Sequence, residues 1–247
     1  MNDTRTLFEP STTPMEALAH MALTRDQIVA AAVRILDEEG PDALSMRRLG
    51  RELDAGTTSV YWHVRGKDEL LDLVADRIIG EVFAGLLVHD VPEGAVTAGG
   101  WRAWMAAFAR SMRVVLLRHR GAAPIVARRA VVAPNAMAAL EALLATMVAD
   151  GFDGRTALLA STVLVGWTSS LVVAEVQGEL APDADAIAGA LGSGRHPVTA
   201  VVLPGTAAPT ADERFDYGLD VLLDGIEARE LRRRAAVGEG SGAGEGG

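Results

Sequence analysis

Cysteine is absent from all 247 residues, so neither a disulfide nor a thiolate metal site can form. Aromatic residues are scarce, at 4%, which makes each one in a patterned position informative. Lys67 is the one lysine among 23 basic residues. The N-terminus lacks a basic region followed by an apolar core, the mark of a secretory signal. No uncharged apolar run of membrane-spanning length has clean flanks. The nearest, 157–174, contains Thr162, Gly166, Thr168, Ser169 and Ser170, which suit helix–helix packing better than lipid. These absences lead us to expect a cytoplasmic address. The sequence also lacks HExxH, a Glu-x-x-His pair and any nucleophile–base spacing, which speaks against an enzyme on a helical scaffold.

What is present is a chain long enough for one or two domains, with 49% apolar residues. The net charge is −10, which is unsuited to nucleic acid until its distribution is considered. Residues 45–67 carry Arg47, Arg48, Arg51, Arg65 and Lys67 against Glu52 and Asp54, a local excess of positive charge. DNA affinity depends on the patch that meets phosphate, and an acidic body suppresses non-specific association.

Helical periodicity recurs along the chain, and no strand pattern or internal repeat is visible. Thr24 caps a helix whose Ile28, Ala31, Ala32, Ile35 and Leu36 form one apolar stripe, stopped by Gly40. Further helices are predicted over 67–87, 100–119, 122–129, 134–150, 154–178 and 211–234. Segment 180–209 holds four prolines and reads mainly as loop, with one helix at 183–191. Residues 1–22 read as a mobile arm, and 235–247 as a disordered Gly-rich tail.

The stretch 45–73, SMRRLGRELDAGTTSVYWHVRGKDELLDL, carries the most information. Ser45 is a natural N-cap, with Met46, Leu49 and Leu53 at helical spacing behind it. Asp54-Ala55-Gly56 breaks that helix. Thr57, Thr58 and Ser59 open a short one bearing Val60, Tyr61, Trp62 and His63. Arg65-Gly66-Lys67 makes the next break, and Asp68-Glu69 start a long helix with acids where the macrodipole favours them. A helix, a tight turn and a hydroxyl-rich second helix suit the reading of a major groove.

Residues 24–85 resemble the DNA-binding domain of the TetR family of bacterial transcriptional repressors. The resemblance rests on the first helix, Gly40, Leu44-Ser45, the run Tyr61-Trp62-His63-Val64, and Lys67. A looser resemblance to the tetracycline-repressor branch extends to about residue 231. It is carried by Trp101–Leu117, His119-Arg120, Pro134-Asn135, Gly151-Phe152 and Phe215-Asp216-Tyr217-Gly218-Leu219. The resemblance implies an all-α protein with two domains. A three-helix helix-turn-helix domain would span 23–80, and an effector-binding and dimerisation domain 81–234.

By similarity, Ser45, Arg47, Arg48, Thr57, Thr58, Ser59, Tyr61, His63 and Lys67 are the expected DNA contacts. Arg47 would reach a base edge or phosphate, the hydroxyls and His63 would meet phosphate, and Lys67 would grip it as a point charge. Arg47 could equally be a solvated surface residue, one of the hydroxyls or Gly56 must cap the short helix, and His63 could be a core histidine. Trp62 reads as a packing residue.

For an effector, Trp104, Phe108, Met112, Met137, Leu140, Met147 and Trp167 could line an apolar cavity for a flat ligand, or serve as ordinary core. His119, Asn135, Thr168, Ser170, Glu175 and Gln177 are the polar candidates for orienting it. The branch holds a magnesium–drug chelate through a histidine on the short helix after the His-Arg pair. The aligned position here is near Val126, so we expect no metal or other cofactor, and a mainly apolar antibiotic or secondary metabolite as effector.

For a homodimer, Phe215, Leu219, Leu222, Leu223 and Ile226 make one stripe. Leu159, Val163 and Gly166 on the 154–178 helix make another, and the alternative for both is packing within one chain. A regulator with no small-molecule effector is the second reading.

Overall fold

The computed structural model describes residues 23–88, 100–129, 132–179, 184–192, 195–203 and 208–242. The expected arm at 1–22 lies outside them, as do residues 243–247. The described residues form helices and connecting turns, with no strand among them.

The N-terminal head is built from α1 (Arg25–Glu39), α2 (Met46–Glu52), α3 (Thr57–His63) and the first half of α4 (Lys67–Val88). A capping box starts α1. The Thr24 hydroxyl accepts from the Gln27 N–H, and the Gln27 side chain accepts from the Thr24 N–H. Gly40, at φ +86°, ends the helix in a conformation that favours glycine. The apolar stripe of α1 is fully buried against Leu44, Leu49, Val60, Leu70 and Val74.

The body contains the rest of α4, then α5 (Gly100–Arg118), α6 (Ala123–Arg128), α7 (Pro134–Ala149) and α8 (Gly154–Gln177). Two short helices, α9 (Ala184–Gly192) and α10 (Pro197–Val202), precede the long α11 (Ala211–Gly242). Packing runs α4 on α5 and α7, with α8 against α5, α6 and α7. Met105, Leu116, Leu143, Met147 and Leu164 are the fully buried centre. Asp153 caps α8, its carboxylate accepting from the Arg155 and Thr156 N–H groups. The Thr156 hydroxyl, above all, and that cap hold the Asp153 carboxyl below the usual carboxylate range.

α8 is long and apolar enough to cross a membrane by length and composition. Here Ala157, Ala160, Leu164 and Val172 instead pack into the body, as the small and hydroxyl residues of 157–174 lead one to expect.

Two expectations need correction. The 180–209 segment holds a second helix, Pro197–Val202, because Pro197 occupies the first turn, where its missing N–H costs nothing. The C-terminal helix runs on to Gly242, past the expected end at 234, where a Gly-rich tail was predicted.

Candidate DNA-reading surface and effector cavity

The orientation of α3 is set by two close backbone contacts. Asp54 takes a left-handed conformation, φ +48°, and lets the Ala55 N–H bond to the Gly50 carbonyl at 2.8 Å. A β-carbon on Gly50 would lie 3.0 Å from the Ala55 carbonyl oxygen and 3.3 Å from the Thr57 nitrogen. Glycine thus lets α2 and α3 meet backbone to backbone.

Gly56 is the N-cap of α3 and contributes no side-chain bond. None of Thr57, Thr58 and Ser59 is therefore the capping residue. Val60 is the buried anchor of α3, and Val64 beyond it is also buried. With both facing the core, the intervening residues must turn outward. Thr58 and Ser59 are exposed, Tyr61 is 50% exposed and Trp62 is 83% exposed. The expectation of Trp62 as a packing residue is thereby overturned. Its indole is among the most exposed large side chains of the described residues and extends the candidate surface. A helical wheel drawn through Val60 and Val64 would have shown this.

His63 is half-buried, and its carbonyl accepts from Arg25 Nε at 3.2 Å. Lys67 donates from Nζ to the Leu44 carbonyl at 2.7 Å. One of its three donors therefore ties α4 to the residue just before Ser45, and the ammonium stays at the surface. The Ser45 hydroxyl accepts from the Arg48 N–H at 3.1 Å and so acts as the cap of α2.

Arg48 is a correction. Its guanidinium is engaged by Glu39 at 2.5 Å and Glu52 at 2.9 Å. Those carboxylates raise the Arg48 pKa, and the hydrogen bonds from Arg48 and then Arg34 hold Glu52 below the usual glutamate range. A guanidinium so occupied ties α2 to α1 rather than standing ready for phosphate. Arg47 and Arg51, one turn apart, are exposed and carry no ion pair among the described residues.

The body holds a half-open cavity of about 300 Å³ between α4, α5, α6, α7 and α8, within the range of small-molecule sites. Its walls include Phe108, Met112, Val126, Leu140, Leu143 and Val165. Three expected effector residues, Phe108, Met112 and Leu140, are brought together here. Seven are not. Trp104 stacks on Phe108 with ring centroids 5.7 Å apart, one layer behind the wall. Met147 is fully buried, and Met137 is half-exposed on the outer side of α7.

Trp167 stacks on Phe215 instead, at 5.5 Å, and Ser170 faces solvent. Glu175 pairs with Arg113 at 3.1 Å. His119 sits at the junction of head and body. Its Nδ1 lies 2.7 Å from an Asp37 carboxylate oxygen and its Nε2 2.9 Å from one of Glu81. Asn135 is likewise engaged, donating to Asp76 at 3.0 Å.

The polar groups of the cavity itself, Ser161, Thr162, Ser169 and Arg129, are not among the residues expected from sequence. Alternation along α8 held a partial signal for the hydroxyls. Nothing local marked Arg129.

The donor set does not fit a magnesium chelate. Val126 stands in the wall at the position aligned with the expected histidine. No His, Asp or Glu is among the described lining residues, and no cluster of three or more such ligands occurs among the described residues.

The expected dimer stripe on α11 also needs correction. Phe215, Leu219, Leu223 and Ile226 are buried within the chain, and Leu222 is half-buried. Gly218 lies against Trp167, where an added β-carbon would come within 2.3 Å of the indole. Among the described residues, the exposed large apolar side chains of α11 are Tyr217, Val221 and Leu231, on a different face. On α8, Leu158, Leu159 and Val163 are about half-exposed, and Gly166 is exposed beside them.

A helix-turn-helix head with an outward-facing second helix, joined by a shared helix to an all-α body, defines a class of DNA-binding regulators. Residues 28–74 match the family of bacterial regulatory proteins, tetR family, and residues 93–230 match the tetracyclin repressor-like C-terminal domain. The chain belongs to the TetR family and is a transcriptional regulator, not an enzyme. It is 42% identical over 157 residues to an HTH-type transcriptional regulator of Saccharopolyspora erythraea, covering 64% of this chain and 61% of that protein. It is 32% identical to the HTH-type transcriptional repressor DrrR1 of Streptomyces coeruleorubidus, covering 86% and 80% of the two chains. Among solved structures it is similar to ActR of Streptomyces coelicolor in complex with (S)-DNPA, with a TM-score of 0.72 and 33% identity over 84% of this chain and 98% of that one.

Proposed function

We propose that this chain is a repressor that binds a pseudopalindromic operator as a homodimer and is released by a small, mainly apolar effector. Residues 23–80 would read DNA, and 81–234 would sense the effector and dimerise. Acting on chromosomal DNA gives it a cytoplasmic address.

The observation that carries the reading is the course of α4. Its Ile79 and Val82 line the cavity, while Lys67 at its other end is bonded beside the start of α2. Those points are about 18 Å apart along a helix rising 1.5 Å per residue. A ligand that displaces the cavity end of α4 displaces the head. Release requires only that the ligand bind the displaced state more tightly than the DNA-competent one.

On the DNA side, Arg47, Thr57, Thr58, Ser59, Tyr61, Trp62, His63 and Lys67 make the reading surface, with Ser45 at its margin. For the dimer, Leu158, Leu159 and Val163 of α8, with Tyr217 and Val221 of α11, would form an isologous four-helix interface. Two recognition helices would then reach major grooves about 34–36 Å apart. ActR has been solved in complex with (S)-DNPA and with actinorhodin, which supports a small-molecule effector for this chain.

The test is binding to the DNA upstream of the protein's own coding sequence, with a panel of antibiotics and secondary metabolites. A footprint with two-fold symmetry is expected, together with at least one compound that raises Tm and dissociates the complex. Failure to bind any promoter fragment would reject the reading. DNA binding with no responsive compound would favour a regulator lacking a small-molecule effector.

A further inference from the structure

The structure assigns the effector a charge: we infer that the cavity takes an apolar ring system bearing an acidic group, which Arg129 binds by exchanging its present carboxylate partners. This rests on the proposed effector reading and deepens it.

Arg129 is the one charged residue among the described residues lining the cavity, and the wall around it is apolar or hydroxylic. Its Nη1 donates to the Asp68 carbonyl at 3.2 Å and to Asp72 Oδ1. Its Nη2 donates to Asp68 Oδ1 at 2.9 Å. A guanidinium has five N–H donors. The Nε–H and one Nη2 proton thus have no protein partner among the described residues. A planar fork with open donors, beside an apolar cavity, suits a carboxylate, a sulfonate or an acidic enol.

The present partners are exchangeable. Asp68 is 95% exposed and Asp72 51% exposed, so water can solvate either carboxylate once the arginine leaves. Exposed ion pairs contribute little net stability, and a ligand anion at the cavity edge can compete with them.

The other polar groups of the wall fix what the rest of the ligand should offer. Ser161 donates to the Ala157 carbonyl at 2.9 Å, Thr162 to Leu158 at 2.8 Å, and Ser169 to Val165 at 2.6 Å. With their protons spent inside α8, these hydroxyls present lone pairs. They accept from ligand hydroxyl or amide donors.

The location gives the exchange a consequence. Asp68 and Asp72 are in the first turns of α4, directly after the recognition helix. Arg129 therefore ties the end of α6 to the part of α4 nearest the DNA. An acidic ligand that takes Arg129 loosens that tie, whereas a neutral ligand of the same shape does not.

Two fluorescent probes test this on the purified full-length protein without DNA. Anilinonaphthalene sulfonate and phenylnaphthylamine share a ring system and differ in the sulfonate. The sulfonate probe should bind the wild type about tenfold tighter than its neutral counterpart. Arg129→Gln should abolish that difference while leaving the neutral probe within about twofold, a change too small for a charge-assisted bond. Arg129→Lys, which keeps the charge and loses the fork, should fall between.

Asp72→Asn, which removes a competing carboxylate, should tighten the sulfonate probe several-fold and leave the neutral one unchanged. Equal affinities of the two probes for the wild type would overturn the inference, as would an Arg129→Gln change that weakens both alike. Ala139→Trp, which fills the cavity, separates failure of the anion preference from failure of the cavity as a ligand site. If it abolishes both probes yet charge makes no difference, the anion inference alone fails. If it affects neither, the cavity is not a ligand site, and the effector reading fails with it.

Discussion

Gly121 stands against the end of α1 so closely that a β-carbon on it would lie 1.8 Å from the Leu36 carbonyl oxygen. The same turn carries His119, which lies between Asp37 of α1 and Glu81 of α4. The α5–α6 turn is thereby seated on the head, next to the helix that lines the cavity. Gly121→Ala cannot be relieved by rotating a side chain, because the obstacle is backbone. The turn must lift from α1, at a cost of about 1–3 kcal/mol typical of overpacking. We expect a lower Tm and weakened operator binding in the absence of any ligand. Wild-type values for both in Gly121→Ala would show that the head and body do not communicate through this seat.

Arg47 and Arg48 are neighbours with different fates. Arg47 is exposed without an ion partner among the described residues, while Arg48 joins Glu39 to Glu52. Arg47→Ala should lower operator affinity by about 1–3 kcal/mol if the guanidinium reads a base edge, with little change in Tm. Arg48→Ala should do the reverse, lowering Tm and leaving the affinity of the folded protein near wild type. Fluorescence anisotropy on operator DNA, paired with thermal melts, distinguishes them. The opposite pattern would return Arg48 to the DNA surface.

Val163 and Leu219 test the interface. Val163 is half-exposed on α8, and Leu219 is fully buried against the body. Val163→Asp should yield a folded monomer by light scattering, with operator binding lost because one recognition helix cannot span two half-sites. Leu219→Asp should destabilise the chain itself, since it places an unpaired charge in the core. A dimer that persists in Val163→Asp would move the interface elsewhere.

Glu230 gives a pH dependence. Its side chain is 3% exposed and accepts from Arg233 and Arg234. Those two arginines also donate to the Gly151 and Asp150 carbonyls, so the cluster clamps α11 to the α7–α8 turn. The hydrogen bond from Arg233, above all, and that from Arg234 hold the Glu230 carboxyl below the usual glutamate range.

A depressed folded-state pKa contributes stability that is complete above the ordinary value, about 4.3. That stability is lost as pH falls through the folded value. Glu230→Gln should lower Tm at neutral pH and flatten the decline of Tm below about pH 4.3. Parallel Tm–pH curves for the two proteins would rule out this carboxylate as a source of acid sensitivity.

The sequence made most of the helices legible, because each carries its own signals. Thr24 with Gln27, Ser45, Asp153 and Gly40 mark ends through local hydrogen bonds and backbone preference, which need no distant partner. The helix-turn-helix was legible for the same reason. The choice among faces was less so. On α11 the strongest apolar stripe, Phe215 to Ile226, suits either a partner chain or its own core by sequence alone, and it packs on its own body. A strong stripe is what a helix needs to join its own core. The exposed face that remains, with Tyr217 and Val221, is too weak a pattern to stand out.

The candidate sites divide along the same line. Thr58, Ser59 and Tyr61 could be placed outward because Val60 and Val64 fix the roll of a short helix, and Trp62 follows by the same logic. Arg48 could not, since Glu39 and Glu52 come from different helices. The cavity depended still more on packing. Aromatic residues such as Trp104 and Trp167 were drawn into stacks with Phe108 and Phe215, and the polar wall came from Arg129 and the hydroxyls of α8.

Local sequence by itself determined where helices start and stop, the break between α2 and α3, and the positive patch on an acidic chain. Hydrogen bonds and steric limits over three or four residues suffice for that. Only the tertiary structure decided which arginine was occupied, which stripe went inward and which side chains surround the cavity. Those outcomes depend on groups brought together from 9 to more than 80 positions apart, as with Arg48 and Glu39 or Arg234 and Asp150.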